Sequence, residues 1–276
     1  MEVKKQEIVR LLKEVAKEYN VKILFAVESG SRAWGMESKN SDYDVRFVFY
    51  REPKEYTLIN LKSDVITTAF NNKLERSSPE GSLVDMQGFD LIKFSKMLSS
   101  SNPTVIEWLN SEILYCGERP KAYVEFSQKH FNFISLYYHY KSMGRQNYLK
   151  YIKPQNNLST PKKYLYTCRG IINSIYVKDY LRLPPISFPK TLEILQENEK
   201  IDDGIFGILA KIIENKRLQE EKHKIDNIEV LDKFIEQQLK IDEAPVKRHY
   251  TMPNYFNDVI TPIIHNTGFK PEANNG

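Results

Sequence analysis

Two carboxylates one residue apart, Asp42 and Asp44, follow a Gly30-Ser31 step after a ten-residue spacer. Each pair sits at the end of an apolar, strand-like run, Ile23–Val27 before the glycine and Val45–Phe49 after the acids. Alternate strand residues share a face, so Asp42 and Asp44 present their carboxylates side by side. Like charges that close raise each other's pKa unless a cation stands between them, and a hard divalent ion such as Mg²⁺ is the natural partner. Gly-Ser supplies a backbone that can approach a phosphate, a hydroxyl and free N–H groups. This combination is suited to phosphoryl or nucleotidyl transfer. A plain turn with both acids solvated is the alternative, but it requires neither acids in register nor glycines upstream. An EF-hand loop starting at Asn40 is excluded, because Val45 stands where its glycine is required.

The Gly-Ser, spacer, Asp-x-Asp pattern resembles the signature of nucleotidyltransferases of the DNA polymerase beta superfamily. The fuller strings, Glu28-Ser-Gly-Ser-Arg-Ala-Trp-Gly35 and Ser41-Asp-Tyr-Asp-Val-Arg46, are similar to one branch, the YcgL-like or RlaP family linked to RNA repair. Asp85-Met-Gln-Gly-Phe-Asp-Leu-Ile-Lys93 and Ser101-Asn-Pro-Thr-Val-Ile-Glu-Trp-Leu109 match two further family segments, with Phe89 where tryptophan is common. The resemblance covers residues 23–183 well and 193–243 loosely. It implies an α+β fold, with a polymerase-beta-like mixed-sheet domain followed by an α-helical domain and the active site between them. It also implies two Mg²⁺ ions (or Mn²⁺), an NTP substrate, and transfer of NMP to an acceptor hydroxyl with release of pyrophosphate.

That chemistry calls for a third carboxylate. Asp85, in the apolar context Leu83-Val-Asp-Met86, is the leading candidate, because an acid within a buried strand is costly unless something receives it. Asp90 and Asp64 are rivals, but the first reads as a helix N-cap and the second merely opens a strand. Asp42, Asp44 and Asp85 are thus the expected metal and catalytic set. Gly30, Ser31, Arg32 and Arg46 are expected around the phosphates. On a helix, Lys162, Tyr166 and Arg169 share one face beside Lys163, offering a cation, a phenol and a guanidinium to a triphosphate or a nucleic-acid backbone. A solvated basic face is the alternative for that run. By analogy Asn102 and Glu107 lie near the cleft, unless they only initiate or cap a helix.

The elements that must hold these residues follow from periodicity. An opening helix places Ile8, Leu11, Leu12, Val15 and Tyr19 on one stripe. Strands are expected at 22–27, 44–50, 64–70 and 82–87, with a short helix or turn within 31–37 and a polar loop at 71–81. Helices are expected from Leu91 and from Pro103, then over 121–148, 161–182, 204–222 and 227–240. The expected domains are 1–118 (catalytic), 119–243 (helical) and 244–276, a C-terminal extension, disordered in part, whose role the sequence leaves open.

A chain of 276 residues with 41% hydrophobic and 28% charged residues is a soluble globular composition. No apolar run approaches a membrane span, and Cys116 and Cys168 have no metal-ligand spacing, so a cytoplasmic protein without disulfides or zinc is expected. The net charge of +4 hides an imbalance, since residues 121–183 hold eleven Lys/Arg against two acids. That field suits a polyanion, RNA foremost. The interleaved aromatics there (Phe131, Phe133, Tyr137, Tyr138, Tyr140, Tyr148 and Tyr151) could stack bases or fill a core. A protein side chain, a small molecule, or an inert nucleic-acid-binding module remain the other readings.

Overall fold

The computed structural model describes residues 3–154, 159–218, 225–245 and 255–265. Its organising element is a six-stranded mixed sheet ordered β4-β3-β5-β2-β1-β6, from β1 (Lys22–Ser29), β2 (Tyr43–Tyr50), β3 (Val65–Phe70), β4 (Arg76–Ser77), β5 (Val84–Asp90) and β6 (Leu114–Gly117). β2 pairs antiparallel with β1 and parallel with β5.

The strand pleat sends alternate residues to opposite faces. On one face Val45, Phe47, Phe49, Val84 and Met86 join a core closed by α1 (Lys5–Glu18), whose Ile8, Leu11, Leu12 and Val15 are all buried. On the other, Val27, Val48 and Phe89 pack with α3 (Leu91–Ser99), α4 (Pro103–Asn110) and α5 (Lys121–Lys129). Asp44 and Arg46 alternate with the first group, and Asp85 and Gln87 do likewise on β5, so all four point to the second face. Asp90 ends β5 and caps α3, its side chain accepting from the Ile92 N–H at 2.9 Å.

Beyond the sheet lie α6 (Phe133–Asn147), a π-helical turn (Tyr148–Ile152), α7 (Pro161–Tyr180), α8 (Phe188–Glu197), α9 (Asp203–Leu218) and α10 (Glu229–Lys240). α6 and α7 cross at two glycines: a Cβ on Gly170 would stand 2.6 Å from the Gly144 nitrogen. This close approach seats α7 on α6, whose Leu136, Tyr137 and Tyr140 pack into the sheet-side core. Most aromatics of the basic stretch are core, with Phe131, Tyr137, Tyr140 and Tyr148 buried, whereas Tyr138 is exposed. The core on the sheet's second face runs continuously across residues 117–120, joining Phe94 and Trp108 to Tyr123, Tyr137 and Tyr140.

Several elements differ from expectation. β5 starts two residues later than expected and runs on through Gly88 and Phe89 to Asp90, because those residues continue the pairing with β2 and β3. The helix expected over 121–148 is interrupted, since the Asn132 side chain caps a fresh start by accepting from the N–H groups of Ile134 and Ser135. A final helix, α11 (Tyr255–His265), carries Pro262 internally and buries Phe256 and Ile264 against the sheet-side core. The segment 268–276, expected to be disordered, lies outside the described residues.

Candidate active site

Gly30 starts the four-residue α2 (Gly30–Ala33) with φ +61°, and a Cβ there would fall 1.8 Å from Asp44 Oδ2. Any side chain at this turn would fill the space that the Asp44 carboxylate uses. The positive φ favours glycine for a second reason. Asp42 lies just before β2 and Asp44 within it, and Asp44 is the direct register partner of Asp85 on β5. Ser29, Gly30, Asp42, Asp44, Arg46 and Lys162 wall one side of a cavity of about 470 Å³. A larger depression of about 560 Å³ surrounds Asp90. Four of its charges are paired, Lys62 with Glu55 at 2.8 Å and Lys93 with Asp64 at 3.0 Å. Asp90 also accepts from the Tyr56 hydroxyl at 2.9 Å, and five residues of β5 set it roughly 16 Å from Asp85.

The Arg46 guanidinium lies between two of the acids, 2.8 Å from Asp44 Oδ1 and 2.9 Å from Asp85 Oδ2. It also donates to the Asp85 carbonyl at 3.1 Å. Burial raises the Asp44 pKa first of all; Arg46 opposes the rise, Asp42 and Asp85 add to it, and Lys162 lowers it. Hard carboxylate oxygens with this mutual repulsion fit a divalent cation. Among the described residues no three His, Cys, Asp or Glu side chains form a ready metal cage, and on the Asp44–Asp85 side Arg46 stands between the two acids.

Other expected residues are distributed around this centre. Arg32 donates to the backbone carbonyls of Ser41 (2.7 Å) and Asp42 (3.1 Å) and covers the Tyr43 ring, so it braces the Asp42 loop and is not part of the cavity wall. Ser31 is buried, and among the described residues its hydroxyl has no hydrogen-bond partner. Lys162 and Tyr166 reach the cavity from α7, whereas the Lys163 ammonium lies 5.0 Å over the Tyr151 ring. Asn102 caps α4 by accepting from the Thr104 N–H at 2.9 Å.

Arg169 is buried and pairs with Glu107 at 2.7 Å. The same Glu107 oxygen accepts from the Tyr140 hydroxyl at 2.7 Å, and the other accepts from Trp34 Nε1 at 3.0 Å. Behind the turn, Lys216 of α9 donates to the Met36 carbonyl at 2.5 Å and Arg217 to that of Gly35 at 3.2 Å.

Glu28 and Trp34 received no role from the sequence. Glu28, fully inside β1, accepts from the Asp44 N–H at 2.8 Å and from the Tyr115 hydroxyl. Burial pushes its carboxyl up to about 7. The signal was an acid closing an apolar strand, the same signal that singled out Asp85.

A model of the family described as "RNA repair pathway DNA polymerase beta family" (RlaP) matches residues 4–255. The "Uncharacterized protein YcgL" of Bacillus subtilis (strain 168) is 33% identical over 239 residues, covering 86% of this chain and 85% of that protein. A crystal structure of a nucleotidyltransferase-like protein from Exiguobacterium sibiricum aligns at 10% identity over 85% of this chain and 71% of that one, with a TM-score of 0.28. A likeness that distant carries no argument here.

Proposed function

Because this chain belongs to the RNA repair pathway DNA polymerase beta family, we propose that it is a metal-dependent nucleotidyltransferase that moves NMP from an NTP to a hydroxyl of RNA. The supporting observation is the pairing of Asp44 with Asp85 across parallel strands, beside a glycine turn that leaves Asp44 Oδ2 uncovered. Asp42 and Asp44 would hold the divalent ion, joined by Asp85 when Arg46 releases it. Bound there, Mg²⁺ or Mn²⁺ polarises the α-phosphate and offsets the charge of the departing pyrophosphate.

The chain's own groups do the rest. Gly30 admits the phosphates, and Lys162 balances their charge from α7. Asp85 takes the proton of the acceptor hydroxyl at Oδ2. The acceptor oxygen bonds to the α-phosphorus as the bond to the bridging oxygen breaks, and pyrophosphate carries away that electron pair. Arg46, freed from the carboxylates, moves to phosphate oxygens. The eleven cations of residues 121–183 favour RNA as the acceptor.

Incubation with each α-labelled NTP, Mg²⁺ and total cellular RNA tests this. Label in RNA that is lost with Asp44→Ala is the expected result. Label confined to protein or to small molecules overturns the RNA acceptor, and no label with any NTP overturns the enzyme.

A further inference from the structure

Four residues after the glycine turn, Trp34 borders the cavity with its indole fixed from several sides. Its Nε1 donates to Glu107 Oε2 at 3.0 Å, and the Arg169 guanidinium lies 3.9 Å over the ring. Tyr166 meets it edge-on, with centroids 5.4 Å apart at 79°. The Trp34 carbonyl accepts from the Phe188 N–H at 2.9 Å. Glu107 holds Arg169 and Tyr140 with its remaining oxygen.

Burying an ion pair to orient an indole is a poor route to stability, since apolar side chains of the same volume fill such space at least as well. What the network provides is a half-buried aromatic ring of fixed plane beside the phosphate turn. One face rests on a guanidinium, and the ring forms part of the cavity wall. Nucleobases stack on such rings regardless of sequence. We propose that Trp34 is the platform on which the base of the bound NTP stacks, with Glu107 and Arg169 as its positioning residues. This rests on the nucleotidyltransferase reading above.

Calorimetric titration of ATP and of inorganic tripolyphosphate, both with Mg²⁺, separates base from phosphate binding. Trp34→Ala is expected to weaken ATP about ten-fold, within the range for loss of a base stack, and to leave tripolyphosphate unchanged. Equal weakening of both ligands, or of neither, overturns the platform while the nucleotidyltransferase reading stands. Wild-type protein that binds neither ligand sinks both. Should Trp34→Ala fail to fold, fluorescence decides. The chain has two tryptophans, and Trp108, stacked on Phe89, lines the same cavity, so the measurement is made in Trp108→Phe, whose indole emission comes from Trp34 alone. ATP should quench that emission and tripolyphosphate should not. ATP that binds without quenching it refutes the proposal.

Discussion

Asp44 and Asp85 are register partners on neighbouring parallel strands, and the Arg46 guanidinium joins them, 2.8 Å from one carboxylate and 2.9 Å from the other. In the ligand-free protein, Arg46 thus does for these acids what a divalent ion would do. Arg46→Met should lower stability in EDTA by about 1.5–3 kcal/mol, the range for hydrogen bonds to charged groups. It should also bind Mn²⁺ more tightly than wild type without nucleotide. Thermal melts across a Mn²⁺ titration read both quantities, and identical Mn²⁺ dependence in the two proteins would remove Arg46 as a competitor.

Asp44→Asn should abolish transfer yet raise the melting temperature of the metal-free protein. Burial and the neighbouring acids raise the Asp44 pKa, so its ionised form destabilises the fold, and that destabilisation grows as pH rises above the ordinary carboxylate range. Melting in EDTA at neutral pH checks the direction. A variant that melts lower would assign Asp44 a structural role.

Asp85→Asn should slow single-turnover transfer by at least ~10²-fold while NTP still binds, the low end for a positioned base. Asp90→Asn should be nearly silent in both assays, because asparagine caps a helix as well as aspartate. The reverse result would move the third carboxylate to the far end of β5.

Glu28 makes stability depend on pH. Its folded pKa of about 7 lies above the ordinary 4.5, so the folded state holds its proton more tightly than the unfolded chain. The stabilisation is full below pH 4.5 and is lost as pH rises through 7. Relative to Glu28→Gln, metal-free wild-type protein should lose on the order of 3 kcal/mol over that window. Urea unfolding at a series of pH values measures it, and parallel profiles for the two proteins would mean that Glu28 ionises normally.

RNA binding should weaken steeply with salt, as each neutralised phosphate releases counterions. Lys150 and Lys163 flank the Tyr151 ring, at 4.9 and 5.0 Å. Replacing either with alanine should lower the salt slope by about one. An unchanged slope in both variants would place the RNA elsewhere.

The juxtaposition of Gly30, Asp42 and Asp44 was legible in the sequence because it is local, set by one turn and one strand. Asp85 was legible as an acid inside an apolar strand. The bridge formed by Arg46 was not, since it depends on β2 lying parallel to β5, a pairing that no local pattern announces. Arg169 shows the same limit. Its helical face pointed to a phosphate ligand, but a carboxylate 62 residues away takes the guanidinium. The interruption at Asn132 was hidden because apolar spacing continues across it. The helix α11 fell in a stretch, 244–276, that was expected only as an extension disordered in part.

Lys216 and Arg217 hold the Met36 and Gly35 carbonyls from behind the Gly30 turn, and this bears on biosynthesis. The ribosome delivers all three aspartates long before it delivers α9. A nascent chain at that stage has its acids but not the two α9 contacts behind the Gly30 turn. On the nucleotidyltransferase reading proposed above, a chain truncated before Lys216 would carry Asp42, Asp44 and Asp85 and still be expected to lack transfer activity.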